Sequence, residues 1–481
     1  MRCLALAQSW KRSGGKVTFL LPEGSPGIEQ RIRGEGFLLE ALAPGQFADA
    51  AVNRMLVSTE RTAVLDGYGF GAREQTMLSQ AGIAVLMVDD YGHAAEYPVR
   101  WILNQNGHAG SEMYVRRADN TRLLLGSAYA LLRDEFLPWL GWRRRTPEKA
   151  SKILVTIGGS DPQNLSARVL ESIALLGDAD LQVVLVAGSS NPHLQSLQEA
   201  TERLPVRVRI VQNAREMPSL MAWADVAVSG AGGTSHELCY MGLPSLLWVI
   251  ADNQRQVAEH LSNLSAAVHA GVARDFDAQR FAEQLRRLLG SPDQRQAMSH
   301  RARSLVDGLG ADRVRAVLLD RELLLRPLRE SDCELLFSWA NDPDVRSASF
   351  HSALVEWEEH QRWFSEKIRD QRSVIYLGET CSGEPVGQVR FHLDQERATL
   401  SVVVAPKFRG AGWGKELIAF SIRTLARERS TRYVDAFVKP ENQRSISLFE
   451  AAGFRRAGCE QVSGQPALLF TWECGSDVHA N

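Results

Sequence analysis

Cys3, Leu6, Ala7 and Trp10 recur at i, i+3, i+4 and i+7, the spacing of one apolar helix face, and Gly14 with Gly15 closes the pattern. After Lys16 the apolar residues gather into short runs. "KVTFLL", "TAVLDGYG", "AVLMVDD" and "WILNQN" read as strands that end in polar residues or glycine, and helical stretches such as "GAREQTMLSQAG" lie between them. This alternation predicts a parallel, doubly wound sheet in residues 1–142. The basic stretch "WRRRTPEKASK" reads as a linker, and the alternation restarts in 143–315 with "KILVTIGG", "LQVVLVAG", "VRVRIVQ", "VAVSGAGG" and "SLLWVI". Two tandem α/β domains form a cleft at the C-terminal ends of their strands. In 320–476 the texture changes to a strand and an amphipathic helix in "LLLRPLRESDCELLFSWAND". "SVIYLGE", "PVGQVRFHLD", "ATLSVVVAP" and "YVDAFVKP" follow with fewer helices between them, which predicts an α+β domain.

Composition narrows the function classes. The 481 residues carry 44% hydrophobic and 23% charged positions and a net charge of −2, so nothing points to nucleic acid or an anionic membrane. No apolar run is long enough for a membrane span, and Lys11 and Arg12 follow the first apolar stretch rather than precede it, unlike a signal peptide. The six cysteines (Cys3, Cys239, Cys333, Cys381, Cys459 and Cys474) form no CxxC pair. They read as reduced cytoplasmic thiols, with no metal site.

Chemistry concentrates at strand ends. "LVTIGGSDPQN" places Gly158, Gly159 and Ser160 after a strand, with Asp161 and Pro162 expected as N-cap and first residue of the next helix. Such a loop offers free N–H groups to a phosphate. In "VSGAGGTSHELCYMGLPSLLWVIADNQ", Gly230, Gly232 and Gly233 end a strand and Thr234 and Ser235 are expected to cap a helix. Glu237 stands on that helix's first turn, in reach of a ribose, and Asn253 and Gln254 follow the next strand at the cleft edge.

Over residues 1 to 310 this constellation resembles the nucleotide-binding half of GT-B enzymes, and more closely the UDP-sugar hydrolases of pseudaminic acid biosynthesis. The resemblance implies that UDP is held by the "GGSDPQN" loop, with Gly159 and Ser160, and by the "GGTSHEL" helix. Gly233, Thr234 and Ser235 would take phosphate, Glu237 ribose, and Asn253 would approach the sugar, with Gln254 beside it. "LDGYG" would place Tyr68 in the cleft, and "GSAYALLRDEF" resembles the family's interdomain segment. The implied reaction is release of UDP by water, with Tyr68 and Asn253 positioning sugar or water.

In "VVVAPKFRGAGWGKELI" the loop Arg409–Gly414, an RGxGxG pattern, follows a strand and opens a helix, so its successive N–H groups can wrap a pyrophosphate. Another strand then leads to "VKPENQRSISLFEAAGF". The pair resembles the GNAT N-acetyltransferases. The resemblance implies acetyl-CoA as co-substrate, with pantetheine against Val402 and Val404, pyrophosphate on Arg409, Gly410, Gly412 and Gly414, and Asn442 beside the cofactor arm. Where many such enzymes carry a proton-donating tyrosine, this chain has Phe449, which cannot donate. Glu358, Glu359 and His360 are candidates to line the acceptor site, although a histidine on a helix is more often a surface residue than a base.

The whole is therefore expected to be two Rossmann-like, GT-B-like domains followed by a GNAT domain. By resemblance it would be a bifunctional enzyme that N-acetylates a UDP-amino-sugar and hydrolytically releases UDP from a UDP-diacetamido-trideoxy-hexose. A GT-B glycosyltransferase joined to an acetyltransferase of other amines, and a non-catalytic UDP-sugar-binding module, remain open. The resembled hydrolases start with a strand and a GxGHxxR loop whose histidine is their general base, and Met1 and Arg2 align with the loop's end. The expectation is that this first strand and loop are missing from the chain as given. It would then transfer acetyl groups but release little UDP until extended by about 15–20 residues.

Overall fold

The computed structural model describes the chain apart from Ser25, Leu140, Gly141, Ser160, Ser189, Ser190, residues 320–322, Cys381, Ser430 and residues 474–481, and apart from the side chains of Arg423, Arg427 and Glu428. It divides into two compact units, Met1–Arg315 and Ala316–Asn481.

In the first unit, β1 (Thr18–Pro22) and β2 (Leu38–Leu42) form a two-stranded parallel sheet. A separate parallel sheet holds β3 (Thr62–Asp66), β4 (Ala84–Val88), β5 (Trp101–Asn104) and β6 (Arg122–Leu125) in that order. The expected single doubly wound sheet is thus divided, since among the described residues β1 pairs only with β2 and β3 only with β4. The helix Arg2–Arg12 forms as its apolar spacing predicts, and it buries Leu4, Leu6 and Ala7. It has no side-chain N-cap, and its first turn is held instead by the Arg2 guanidinium on Asp66 and Asp90, each at 2.7 Å.

A third sheet comprises β7 (Lys152–Thr156), β8 (Gln182–Ala187), β9 (Arg207–Gln212), β10 (Val226–Gly230), β11 (Ser245–Val249) and β12 (Val268–Val272). Its order is β12-β11-β10-β7-β8-β9, and every pair is parallel. β10 and β11 are buried along their whole length, as befits parallel strands covered on both faces. Strand order reverses between β7 and β10, which is where open α/β sheets bind ligands. Both glycine loops leave the sheet at that point. The stretch read as a linker is anchored here, since Arg144 donates to the carbonyls of Met221, Ala224 and Met241. Burial pushes its pKa down to about 10.

The second unit holds one sheet, β13 (Leu323–Pro327), β14 (Ser373–Thr380), β15 (Pro385–Asp394), β16 (Arg397–Val404), β17 (Tyr433–Val438), β18 (Arg455–Val462) and β19 (Gln465–Glu473). The order is β13-β14-β15-β16-β17-β19-β18, antiparallel except between β16 and β17. The helix Trp413–Glu428 packs on one face so closely that a Cβ on Gly378 would stand 2.5 Å from Leu417. Among the described residues no helix is long and apolar enough to cross a membrane.

Candidate functional sites

β3 delivers Asp66, Gly67 and then Tyr68, whose ring is 49% exposed. The Tyr68 hydroxyl donates to Asp90 at 3.2 Å and accepts from Asn253 Nδ2 at 2.8 Å. Asn253 lies in the short turn Asp252–Gln254 that follows β11, so two residues 185 positions apart meet at the strand ends of different sheets. Burial and then the Asp90 charge push the Tyr68 pKa up to about 12, which keeps it a phenol at neutral pH.

β4 runs directly into Asp89 and Asp90. Asp89 is fully buried and accepts from the N–H groups of Tyr91 and Gly92, from His93 Nδ1 and from the Tyr97 hydroxyl. Burial alone would raise its pKa, but these donors outweigh it and hold the carboxyl far below the usual range. Asp90 takes Arg2, Tyr68 and, at 3.1 Å, Asn106 Nδ2.

His93 has an acceptor at each ring nitrogen, Asp89 Oδ2 at 2.8 Å and the Phe70 carbonyl at 3.3 Å. Both contacts are satisfied only by the imidazolium, and the hydrogen bond to Asp89 raises its pKa. The folded value lies above the unfolded one of about 6.5, so this contribution is present below that pH and lost as pH rises through the folded value. The unfolding midpoint of the first unit should therefore fall as pH climbs from about 6.5, and His93→Gln should flatten that dependence. An unchanged slope in the variant would contradict it.

In the third sheet, Gly158 adopts φ +120 after β7, while Ser160 lies outside the described residues. The helix expected at Asp161 begins at Leu165, with Asn164 as its N-cap. Asp161 still caps it, because its carboxylate accepts from the N–H groups of Leu165 and Ser166. Eight residues, 157–164, separate β7 from this helix, and Asp161 and Asn164 among them adopt positive φ. After β10, Gly233 and not Thr234 or Ser235 is the N-cap of the helix Thr234–Tyr240. Ser235 is buried, and its hydroxyl is committed to the Gly232 carbonyl at 2.6 Å. Gln254 Oε1 accepts from Ile250 N, which fixes the loop after β11.

Glu237 is on the first turn of that helix, with its side chain 14% exposed. Its Oε1 accepts from Arg133 Nη2 at 2.8 Å, and Arg133 also faces Glu135 at 3.0 Å. Desolvation raises the Glu237 pKa against the pull of Arg133. Arg2, Asp90 and Arg133 were not singled out as site residues. The signal for Asp90 is the strand-end "VDD" run, which parallels "LDGYG" one strand earlier.

In the second unit, β16 pairs with β17 only over Arg397–Thr399. Beyond Thr399 the strands part, leaving one edge of Val402 and Val404 without a strand partner. The loop after β16 carries Gly410 and Gly412 at φ +80 and +86, and Gly412 is the N-cap of the helix Trp413–Glu428. A Cβ on Gly414 would meet Leu448 and Val404 at 3.1 and 3.3 Å. The Arg409 side chain points away from this task, since it binds the Val404 carbonyl, Asp342 and Asp344. Asn442 caps the helix Gln443–Ala451 by accepting from Ser445 N. Phe449 is buried between Phe454 and Phe470.

Glu358 and Glu359 are exposed. His360 is not the surface residue expected of it. It is 3% exposed, its Nε2 lies 3.0 Å from the Cys333 carbonyl, and burial lowers its pKa, so it packs as a neutral ring among Phe337, Trp357 and Trp363. Among the described residues no group of three or more His, Cys, Asp or Glu side chains is placed to hold a metal ion.

Two known domain families match this chain. Residues 153–313 match the glycosyltransferase family 28 C-terminal domain and residues 322–455 the acetyltransferase (GNAT) domain. Similar curated proteins include an uncharacterized protein of Methanocaldococcus jannaschii, 24% identical over 73% of this chain and 72% of its own length. The spore coat polysaccharide biosynthesis protein SpsG of Bacillus subtilis is 29% identical over 49% of this chain and 69% of its own. A UDP-N-acetylglucosamine–N-acetylmuramyl-(pentapeptide) pyrophosphoryl-undecaprenol N-acetylglucosamine transferase of Methylococcus capsulatus is 26% identical over 66% and 94%. A domain of the glycosyltransferase family 28 C-terminal type and an acetyltransferase domain of the GNAT type therefore stand in tandem on one chain.

Proposed function

We propose that the chain is a bifunctional nucleotide-sugar enzyme that N-acetylates a UDP-amino-sugar with acetyl-CoA and releases UDP from the acetylated sugar by hydrolysis, as in pseudaminic acid-type pathways. The hydrolytic half rests on one observation, the hydrogen bond between Tyr68, just past β3, and Asn253, in the turn after β11. UDP lies at the switch point between β7 and β10, with its phosphates against Gly159, Gly233 and Thr234 and its ribose on Glu237. The sugar extends toward Tyr68 and Asn253. Water attacks the anomeric carbon, a C–O bond forms, the bond to the UDP oxygen breaks, UDP leaves with the bonding pair, and the proton lost by the attacking water passes to solvent. Tyr68, as a phenol, orients water or sugar and does not act as the base. The relatives named for polysaccharide biosynthesis and N-acetylglucosamine transfer support a nucleotide sugar as ligand and also favour a second reading, transfer to a sugar acceptor.

In the C-terminal half, pantetheine enters the gap between β16 and β17 and the acetyl-CoA pyrophosphate sits on Gly410, Gly412 and Gly414. A neutral amine attacks the thioester carbon, the C–S bond breaks and CoA leaves as thiolate. Phe449 gives it no proton, so the proton comes from the amine or from water. The free cysteines Cys3, Cys239, Cys333 and Cys459 fit a cytoplasmic setting.

Tyr68→Phe and Asn253→Ala should each weaken binding of a UDP-sugar about fivefold to tenfold relative to UDP alone, the worth of one hydrogen bond. Calorimetric titration with both ligands reads the ratio. A ratio that stays at the wild-type value in both variants would remove these residues from the sugar site.

A further inference from the structure

Along β15, Val389 and Phe391 face the core beneath the helix Trp413–Glu428, so Gln388 and Arg390 point to the opposite face of the sheet. There the Arg390 guanidinium lies over the Trp363 ring, 5.3 Å from its centre, on the helix Trp357–Lys367. Among the described residues its side chain makes one hydrogen bond, a long contact of 3.4 Å to Ser401 Oγ, and no carboxylate stands within 4.0 Å of it. Three other arginines of this unit, by contrast, are paired: Arg326 with Asp332 and Glu379, Arg397 with Asp435, and Arg409 with Asp342 and Asp344. Arg390 is half-buried, and burial lowers its pKa with no counter-charge to oppose it. Charges withdrawn from water are ordinarily paired, so this one lacks an anion.

Its position adds a second observation. Arg390 pairs in register with Ser401, two residues beyond Thr399, where β16 leaves β17. Two residues before Arg390, the side-chain oxygen of Gln388 is buried without a donor, roughly 7 Å along the same face. Beside the strand gap, one strand therefore presents a cation that lacks an anion and a carbonyl that lacks an N–H.

We infer that the acetyl acceptor of this domain carries a phosphate ester, received by Arg390, while Gln388 accepts a hydrogen bond from the amine. This rests on the reading of the second unit as an amino-sugar acetyltransferase and names the class of its acceptor, a phosphorylated amino sugar. The guanidinium has a further effect, because a nearby cation disfavours the ammonium form and leaves more of the amine neutral for attack on the thioester.

The test uses the full chain with glucosamine and glucosamine 1-phosphate as acceptors. The wild-type protein should prefer the phosphorylated amine at least tenfold in kcat/KM. Arg390→Gln should erase the preference, Arg390→Lys should keep part of it, and the KM for acetyl-CoA should not move. Inorganic pyrophosphate should still bind once per chain when UDP and CoA are both saturating, and that binding should vanish in Arg390→Gln. Equal loss on both amines in Arg390→Gln, a preference for the neutral sugar, or no residual pyrophosphate binding would each overturn the inference. Arg390-dependent pyrophosphate binding without acetylation of either sugar or of a UDP-amino-sugar would uphold the anion site and sink the amino-sugar reading instead.

Discussion

Gly412→Val should weaken acetyl-CoA binding tenfold or more and slow acetyl transfer with it, while leaving UDP binding intact. Gly412 holds φ +86, a conformation that costs an L-residue about 1–2 kcal/mol, more for a branched one. It is also the N-cap of the helix Trp413–Glu428, so its backbone sets where the first free N–H groups of that helix point. A valine would move the turn or cover those groups, and a phosphate needs both the space and the donors. Gly410, with φ +80, should respond in the same direction. Titration of acetyl-CoA into the variant reads the effect as a loss of tenfold or more in affinity. Unchanged affinity would show that the loop does not hold the pyrophosphate.

The second large effect is expected at Glu237. A hydrogen bond to a charged group contributes about 1.5–3 kcal/mol, so Glu237→Ala should weaken UDP binding tenfold or more. The structure adds a cost that the motif does not show. Glu237 is the partner of Arg133, and its removal leaves that guanidinium with Glu135 alone. Breaking a buried pair by deleting one member is destabilising. The first unit should therefore also unfold at a lower temperature. Glu237→Gln keeps an acceptor for Arg133 and for a ribose hydroxyl and should lie between the two. Acetyl-CoA binding is the control and should stay at the wild-type value in both. Wild-type UDP affinity in Glu237→Ala would remove the residue from the nucleotide site.

Much of the architecture was legible because parallel strands covered on both faces must be continuous apolar runs. β7, β10 and β11 stand out for that reason. β18, "RRAGCEQV", is exposed along nearly its whole length and gives no such signal, and it is recognisable only by its pairing with β19. The short β12 is interrupted by Gly271, whose φ of +132 suits the irregular register against Trp248. The tight backbone turns at Gly158, Gly410 and Gly412 were legible where glycines cluster, but the capping residues were not. Asp161 reaches over three residues to cap its helix, and Ser235 turns its hydroxyl back onto Gly232. Local propensity sees a residue type before a helix and cannot see which carbonyl the fold brings near. The pairing of Tyr68 with Asn253, anticipated only as two separate strand-end residues, and the unanticipated hold of Arg133 on Glu237 are long-range contacts set by tertiary structure.

The most direct test of a tandem nucleotide-sugar enzyme is to incubate the chain with a UDP-amino-sugar and acetyl-CoA and to follow CoA and UDP separately. CoA should be set free only when the amino-sugar nucleotide is present, one for each sugar found acetylated on nitrogen. Any UDP should come from that acetylated product, without a sugar acceptor. CoA release indifferent to the sugar nucleotide, or UDP that appears only when a second sugar is supplied to receive the first, would contradict the account.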